Sequence, residues 1–228
     1  MRKKITVIVP AYNEEELIAG CLDSLIHQTI DRNEYEIVVV DNNSTDQTTL
    51  IALSKGVRVE RELRKGYVHA IRRGIEVSQT DLIAFTDADC RVPPDWLEKI
   101  LVNFNSSTKV VGVGGKLAFY DIPHFVDKTV QSILYLNEAL PGNNMAVRRQ
   151  ALHQIGGIDP SINLSVDYWL TLKLRKVGKL KVDRRLVVNT SGRRFVNAFD
   201  SDIKYFINVM SMQVSSKPVF YDFPDIRD

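Results

Sequence analysis

Short apolar runs that end in polar segments characterise the first half of the chain. Four short segments are predicted to form strands; the first, a continuous apolar run rich in β-branched residues, and the second are typical of strands buried on both faces. The four segments are Ile5–Val9, Glu36–Val40, Val57–Glu60 and Leu82–Phe85. The polar segments after them mark the points where we expect each strand to end.

Helical patterns alternate with these strands. Apolar residues recur at helical spacing after Asn13, which we interpret as the N-cap of a first helix with three glutamates in its first turn. Further helices are predicted over Asp46–Ser54, over Val68–Ser78, and from Pro94 to Phe104. The alternation predicts an α/β fold with an open, mainly parallel twisted sheet flanked by helices.

The pattern loosens after residue 110, where we expect a smaller mixed layer without a clean boundary. Strand-like stretches are Val110–Phe119, Asn143–Val147, Leu180–Val182 and Leu186–Asn189. Helical stretches are Pro123–Glu138, a segment ending at Ile155, Asp167–Val177 and Asp202–Val214. We therefore divide one continuous domain into residues 1–110 and residues 111–228.

Charge and cysteine content narrow the class of protein. The chain has 228 residues and a formal net charge of +2, but basic residues outnumber acidic ones between Leu172 and Lys217. This imbalance favours an anionic partner, such as phosphate groups, an anionic membrane surface or nucleic acid. Two cysteines, Cys21 and Cys90, are too few for a disulfide framework or a zinc site, so a reducing, cytosolic setting is expected.

Three polar segments follow predicted strands and should share one edge of the sheet. They are Pro10–Glu14, Asp41–Asp46 and Asp87–Asp89. In open parallel sheets, ligands bind at the carboxyl ends of the strands. If the chain stays extended at Asp87 and Asp89, both carboxylates point to one side and repel, and Mg²⁺ or Mn²⁺ shared with substrate phosphates would remove the conflict. The P-loop and the dinucleotide-binding glycine fingerprint are both missing from the sequence.

Several motifs together resemble the family 2 glycosyltransferases, which have a GT-A fold. They are "VIVPAYNEEELIAGCLDSLIHQT", "IVVVDNNSTDQT", "KGYVHAIRRGIEVSQTDLIAFTDADC", "PPDWL", "GNNMAVRR" and "GGIDPSINLSVDYWLTLKLRKVG". The resemblance covers roughly residues 4–192. It implies an inverting transfer of a sugar from a nucleoside diphosphate to an acceptor, with residues 1–110 binding the nucleotide sugar and residues 111–228 binding the acceptor and carrying the base.

The resemblance also assigns nucleotide-sugar contacts to matching positions. The base and ribose would lie against Pro10, Ala11, Tyr12, Glu14 and Asp41. The diphosphate would be approached by Gly66, by His69 or Arg72, and by the Asp87-Ala88-Asp89 segment, in which Asp89 and Asp87 would bind the metal. The loop of Gly142, Asn143 and Asn144 would lie near donor sugar and acceptor.

Arg193 and Arg194 lie beyond the resemblance, in a turn late in the basic region. They would either grip a diphosphate or an acceptor phosphate, or form a solvated basic turn.

Asp167 occupies the position of the family's catalytic base. The glutamate that usually precedes this aspartate is replaced by Val166, and the usual downstream acid is replaced by Trp169. Asp167 would take the proton of the attacking hydroxyl, while the alternative interpretation makes it a helix-capping acid. The substitutions leave the base in place but change the surroundings of the acceptor.

The expected partners are a UDP- or GDP-sugar and a glycan or lipid-linked acceptor, without nucleic acid. Two other functions stay open, a sugar-nucleotide nucleotidyltransferase and a non-catalytic nucleotide-sugar-binding protein. The predicted location is the cytoplasm, because neither a signal segment nor a membrane-length apolar run is found in the sequence. The aromatic-rich C-terminal helix either completes the core or rests on the inner face of the cell membrane.

Overall fold

One twisted sheet of seven strands organises the protein, and the computed structural model describes residues 3–122, 139–193, 199–215 and 217–220. The strands are β1 (Ile5–Ala11), β2 (Tyr35–Asp41), β3 (Arg58–Arg61), β4 (Leu82–Phe85), β5 (Val110–Phe119), β6 (Met145–Arg148) and β7 (Lys179–Thr190). Their order across the sheet is β3-β2-β1-β4-β6-β5-β7. Neighbouring strands run parallel except at β6, which is antiparallel to both β4 and β5, so the mainly parallel sheet predicted from the sequence is confirmed.

Helices cover both faces of this sheet. They are α1 (Ile18–Ile26), α2 (Thr48–Ser54), α3 (Tyr67–Val77), α4 (Trp96–Asn105), α5 (Arg149–Gln154), α6 (Val166–Leu174) and α7 (Phe199–Ser215). Every residue of β1 is buried. Val7 packs in one core cluster with Leu22 of α1, whereas Ile8 packs in a second cluster with Ile71 of α3 and Leu170 of α6. Alternate side chains of β1 thus pack into two separate cores on opposite faces of the sheet, which explains why the sequence of β1 is continuously apolar.

The first helix begins later than the sequence predicts. Asn13 adopts a positive φ of 49° and does not cap the helix, which starts at Ile18. Its side-chain oxygen instead accepts a hydrogen bond from the amide of Thr45, at 2.9 Å, in the loop after β2. The predicted N-cap is therefore wrong, because the polar residues after β1 brace a neighbouring loop rather than the helix that follows them.

The second half of the chain extends the same sheet instead of forming a separate layer. The two predicted strands near its end are one strand, β7, which pairs with β5 in parallel. An irregularity lies in the middle, where Gly114 pairs with Val182 but Lys116 pairs with Val187. A Cβ placed on Gly115 would overlap the carbonyl oxygen of Leu186, so only glycine allows this close approach.

Asn144 ties three elements together in the interior. Its side chain is fully buried, and its Oδ1 accepts a 2.9 Å hydrogen bond from the Trp96 indole. Its Nδ2 donates to the carbonyl oxygens of Lys116, at 2.8 Å, and Leu186, at 3.1 Å. One amide therefore joins α4, β5 and β7 beside the loop that enters β6.

The last described helix completes the core on one side and leaves apolar atoms exposed on the other. Val209 and Met212 of α7 pack into the second core cluster. Ile207, Met210 and Val214 are exposed. The predicted helix over Pro123–Glu138 lies outside the described residues, and no helix among the described ones has the length and apolar character needed to cross a membrane.

We predict that Asn144→Ala lowers the free energy of unfolding by about 3 kcal/mol, because it leaves a buried indole N–H and two carbonyl oxygens without their partner. Urea denaturation at neutral pH measures the change. Asn143→Ala is the matched control, since Asn143 is only partly buried and makes one 3.4 Å hydrogen bond, to Thr190. Equal losses for the two neighbouring substitutions would contradict this role of Asn144.

Candidate functional site

The carboxyl ends of β1 and β2 lie side by side, and their loops are bound to each other. Ala11 pairs with Asp41 at the end of the ladder. Beyond it, the Asn13 amide donates to the Ser44 hydroxyl at 3.0 Å, and the Glu15 amide donates to Asp46 at 3.0 Å. These crossed hydrogen bonds hold two of the three predicted polar segments as one unit.

Asp41 is a buried carboxylate with an unused acceptor. Its side chain is only 1% exposed, and its Oδ1 accepts a 3.2 Å hydrogen bond from the Ser44 amide. Its Oδ2 is buried and has no hydrogen-bond donor among the described residues, although Arg61 Nε lies 3.9 Å away. Because buried acceptors are rarely left unpaired, Asp41 is suited to receive an N–H donor from a ligand.

Three residues at the end of β1 lie at the same edge of the sheet as Asp41. Pro10 and Ala11 are the last residues of β1 and are buried, while Tyr12 is partly exposed. The Lys65 ammonium lies 5.5 Å from the centre of the Tyr12 ring. Tyr12, directly after β1, thus offers an aromatic face beside a cation, at the same edge of the sheet as Asp41 at the end of β2.

Gly66 begins α3 at a crowded point of the backbone. Its φ is +131°, and a Cβ there would lie 3.1 Å from the Asn163 side chain, so both conformation and space require glycine. Its amide donates to Asn42 Oδ1 at 2.8 Å, and Asn163 Oδ1 accepts from the Val68 amide at 2.9 Å. Gly66 therefore joins the β2 end to the loop that precedes α6.

Arg72 and His69 make no recorded contact with the carboxylates of Glu14, Asp87 or Asp89 among the described residues. Arg72 donates to the carbonyl oxygen of Ile158, which orders the loop before α6. His69 contributes to the lowered pKa of Glu62, which falls to about 2 chiefly through hydrogen bonds from Arg64. The Nδ1 of His69 is buried without a hydrogen-bond partner in the described part of the chain. Arg72 thus uses one guanidinium nitrogen within the protein, and the phosphate contact of Arg72 or His69 stays a prediction.

Asp87 and Asp89 sit in a turn after β4, and the chain is not extended there as the sequence argument supposed. The Cys90 amide closes the turn by donating to the Asp87 carbonyl at 3.1 Å. Asp87 Oδ1 accepts from the Tyr67 hydroxyl at 3.2 Å. Asp89 Oδ1 accepts from the Thr190 hydroxyl at 3.3 Å, and its backbone carbonyl accepts from Tyr120 at 3.1 Å.

Asp167 approaches this cluster from the other half of the chain. It lies in the first turn of α6, and its Oδ2 accepts a 3.2 Å hydrogen bond from the Gly142 amide. A Cβ on Gly142 would lie 3.2 Å from the Asp167 Cβ and 3.6 Å from the Tyr67 hydroxyl. Tyr67 therefore contacts Asp87 and also lies beside the loop that holds Asp167, and Tyr67 and Asp167 line one hollow.

This hollow is small and mostly apolar. Its volume is about 20 Å³, close to the space of one water molecule. The lining residues are Tyr67, Ile71, Phe85, Gly142, Met145, Ile158, Val166, Asp167 and Leu170. Val166, which replaces the family's glutamate, thus contributes an apolar wall beside Asp167.

The carboxylates create a strongly negative environment at the strand ends. Burial raises the pKa of the Cys21 thiol well above its usual value, and the charges of Asp89, Asp87 and Glu14 raise it further. Burial and the same two aspartates also raise the pKa of Cys90. Both thiols are therefore protonated at neutral pH, and the field that acts on them attracts cations.

The donor set fits a hard divalent cation held in part by phosphates. Among the described residues, no group of three or more His, Cys, Asp and Glu side chains gathers as a metal cage. Mg²⁺ and similar ions bind to one or two protein carboxylates and take the remaining ligands from water and substrate phosphates. Asp89, with Asp87 beside it in the same turn, provides that arrangement.

A cationic side chain from the end of β7 already lies against these carboxylates. Arg193 Nη2 is 2.5 and 2.7 Å from the two carboxylate oxygens of Glu14 and 3.5 Å from Asp89 Oδ2. Burial alone would lower the Arg193 pKa, but the Glu14 hydrogen bond and the charges of Glu14 and Asp89 outweigh it and raise that pKa. Glu14, predicted to contact base or ribose, is thus engaged with the protein itself.

The remaining predicted residues divide into those near the cluster and those that support it. Asn143 donates to Thr190, whose hydroxyl contacts Asp89. Asn144 is fully buried and saturated with protein hydrogen bonds, so its side chain shapes the loop and does not face a ligand. Ala88 is also buried, and Arg194 lies outside the described residues.

Sequence reasoning missed three hydroxyl-bearing residues at the site. They are Tyr67, Tyr120 and Thr190. Tyr67 follows Gly66 directly in the quoted motif, so its position offered a signal. Tyr120 and Thr190 gave none, because they reach Asp89 only through the pairing of β5 with β7.

Known proteins of similar sequence and structure carry sugar-transferase names. The glycosyltransferase AglE of Haloferax volcanii is 38% identical over 122 residues, which are 50% of this chain and 40% of AglE. The mannosyltransferase PcManGT of Pyrobaculum calidifontis, solved with GDP-Man and Mn²⁺, superposes with a TM-score of 0.76 and 22% identity, over 96% of this chain and 66% of that one.

A further solved structure has the same fold. Glucosyl-3-phosphoglycerate synthase of Mycobacterium tuberculosis, in complex with Mn²⁺, UDP-glucose and phosphoglyceric acid, gives a TM-score of 0.68 at 19% identity and covers 92% of this chain and 79% of that one. At such identities the structural likeness shows the fold alone, which is GT-A as expected. The chain spans less than half the length of AglE.

The family itself is shown by sequence. The model of the family described as "Glycosyl transferase family 2" matches residues 6–156, which are more than half of the chain. The match includes the strand ends that carry Asp41, Asp87 and Asp89, and it ends just before the loop that leads to Asp167. The motifs, the sheet order and this match agree, and the chain belongs to glycosyl transferase family 2.

Proposed function

We propose that this protein is a glycosyltransferase that moves a sugar from a UDP- or GDP-sugar to an acceptor. Family membership and the nucleotide sugars bound by similar structures support this activity. The unused Oδ2 of Asp41 supports it from within the chain, because the uracil N3–H or the guanine N1–H is the kind of donor that this oxygen needs.

The proposed transfer inverts the anomeric centre, with Asp167 as the base. The acceptor oxygen forms a bond to the anomeric carbon while the bond to the diphosphate oxygen breaks, and the hydroxyl proton moves to the Asp167 carboxylate. The observation that supports this proposal is the hollow that Asp167 lines together with Tyr67, whose hydroxyl donates to Asp87. The Gly142 amide orients the carboxylate.

Asp89 and Asp87 would hold Mn²⁺ or Mg²⁺ in this scheme. Such an ion would offset the charge that builds on the departing diphosphate. The chain's own contribution is to fix the two aspartates in a tight turn, with Tyr67 and Thr190 hydroxyls donating to them. These donors fix the orientation of the two carboxylates.

The acceptor side of the proposal rests on the second half of the chain. A glycan hydroxyl or a lipid-linked phosphate is the proposed acceptor, reached across Asn143 and the Gly142 loop. The exposed apolar side chains of α7, namely Ile207, Met210 and Val214, support a peripheral contact with a membrane that bears such a lipid. The basic residues between Leu172 and Lys217 favour an anionic surface.

A non-catalytic nucleotide-sugar-binding protein is the competing function, and the replacement of the family's glutamate by Val166 is the observation that favours it. Such a protein would use Asp41 and Tyr12 but would not need Asp167. No contact in the described residues specifically favours a nucleotidyltransferase.

We predict that Asp167→Asn lowers kcat by about 10²- to 10⁴-fold, because the amide cannot accept the hydroxyl proton. Donor binding should be unchanged, as measured by calorimetric titration with the nucleoside diphosphate. Asp159→Asn is the matched control, since Asp159 is exposed and only caps its own loop through Ser161. If Asp167→Asn retains full turnover, Asp167 is not the catalytic base.

We predict that Asp89→Asn weakens binding of UDP or GDP in the presence of Mn²⁺ by at least tenfold, because one metal carboxylate is lost. Titration calorimetry with and without Mn²⁺ measures the difference. Asp41→Asn should also weaken nucleotide binding but should leave the affinity for Mn²⁺ alone unchanged. If the unmutated protein binds the nucleotide equally well with and without Mn²⁺, the metal has no place in this function.

A further inference from the structure

Arg193 lies between Glu14, in the loop after β1, and Asp89, the carboxylate predicted to bind the metal. One guanidinium nitrogen, Nη2, contacts both oxygens of Glu14 and lies 3.5 Å from Asp89 Oδ2. Glu14 follows β1, Asp89 follows β4, and Arg193 follows β7. A single side chain therefore joins the ends of three strands, and it does so at the carboxylate expected to bind the metal.

The backbone that carries Arg193 is held in place by its own hydrogen bonds. The Gly192 amide and the Ser191 hydroxyl both donate to the Asp121 carboxylate. The Arg193 amide donates to the Ser191 hydroxyl at 3.2 Å. These contacts fix where the side chain starts, so its position over Glu14 and Asp89 follows from the fold.

The burial of Glu14 explains why a cation is needed there. Its side chain is 3% exposed, and an unpaired carboxylate at that depth is costly. Arg193, with a side chain 31% exposed, supplies the opposite charge while remaining within reach of solvent. Its Nε and Nη1 have no hydrogen-bond partner among the described residues, so part of its planar fork is unused.

We propose that Arg193 is a resident counter-cation that the divalent metal and the diphosphate displace together. In the ligand-free protein its guanidinium neutralises Glu14 and partly neutralises Asp89, which opposes the binding of a bare metal ion. With a divalent metal and a nucleoside diphosphate bound, Asp89 would hold the metal and the Arg193 guanidinium would donate to the diphosphate. This inference rests on the proposed function, because it takes Asp89 as the metal ligand.

Opposite effects on two ligands follow from this exchange. Replacing Arg193 with a neutral residue removes the competitor for Asp89, so the affinity for Mn²⁺ alone should rise. The same replacement removes a charged donor from the bound diphosphate, so the affinity for UDP or GDP at saturating Mn²⁺ should fall. A purely structural arginine would change the two affinities in the same direction or in neither.

The test is a titration of the full chain with Mn²⁺ alone. The concentration of free Mn²⁺ at each step is measured by electron paramagnetic resonance. Arg193→Gln should bind Mn²⁺ about fivefold more tightly than the unmutated protein, the scale of one partly exposed charge pair. Binding of UDP or GDP at saturating Mn²⁺, measured by calorimetry, should weaken about tenfold. Arg193→Lys, which keeps the charge, should retain the original Mn²⁺ affinity.

Matched variants separate this effect from loss of stability. Arg185→Gln removes an arginine of a similar acid pair, with Asp183, at the edge of the sheet and should leave both affinities unchanged. The double variant Glu14→Gln with Arg193→Gln removes the buried pair as a unit, so it leaves no unpaired buried charge and should also bind Mn²⁺ more tightly than the unmutated protein.

The outcomes distinguish this inference from the proposed function. If Arg193→Gln and the double variant bind Mn²⁺ no more tightly than the unmutated protein, while Asp89→Asn still abolishes Mn²⁺-dependent nucleotide binding, the exchange is wrong and the metal role stands. If Asp89→Asn has no effect on Mn²⁺-dependent binding either, both the metal role and the exchange fail.

Discussion

Repulsion among carboxylates at one edge of a parallel sheet is the constraint on which this site depends. Glu14, Asp87 and Asp89 follow β1 and β4, two adjacent strands, and their combined charge raises the pKa of the Cys21 thiol beyond the effect of burial. Such a cluster needs cations to be stable. In the described structure Arg193 supplies one, and in the proposed reaction a metal ion would supply another.

Hydrogen bonds elsewhere in the fold hold the loops beside these carboxylates in place. The loops after β1 and β2 brace each other through Asn13 and Ser44, so the polar residues there are used before a ligand arrives. Asn144 plays the corresponding part on the other side, where it fixes α4 against β5 and β7. Precise placement by the protein reduces the reorganisation needed when charge moves in a reaction.

The sequence predicted the strands well, and it also predicted that the polar loops after them meet at one edge of the sheet. Both predictions depend on local patterns and on the geometry of parallel sheets. Asp41 ends β2, and Asp87 and Asp89 follow β4, at the edge where they were expected. The late start of α1, the single strand β7 and the pairing of Arg193 with Glu14 were not predictable in this way, since each depends on contacts between residues distant in sequence. The sequence left both a phosphate contact and a solvated turn open for Arg193, and the fold places it against Glu14 and Asp89.

The most direct measurement is a crystal structure with Mn²⁺ and UDP or GDP, with the metal located by its anomalous scattering. We predict an anomalous peak at Asp89, the nucleobase against Asp41, and Arg193 turned from Asp89 toward the diphosphate. A peak distant from Asp89, or a guanidinium still resting on Asp89 beside a fully bound nucleotide, would contradict it.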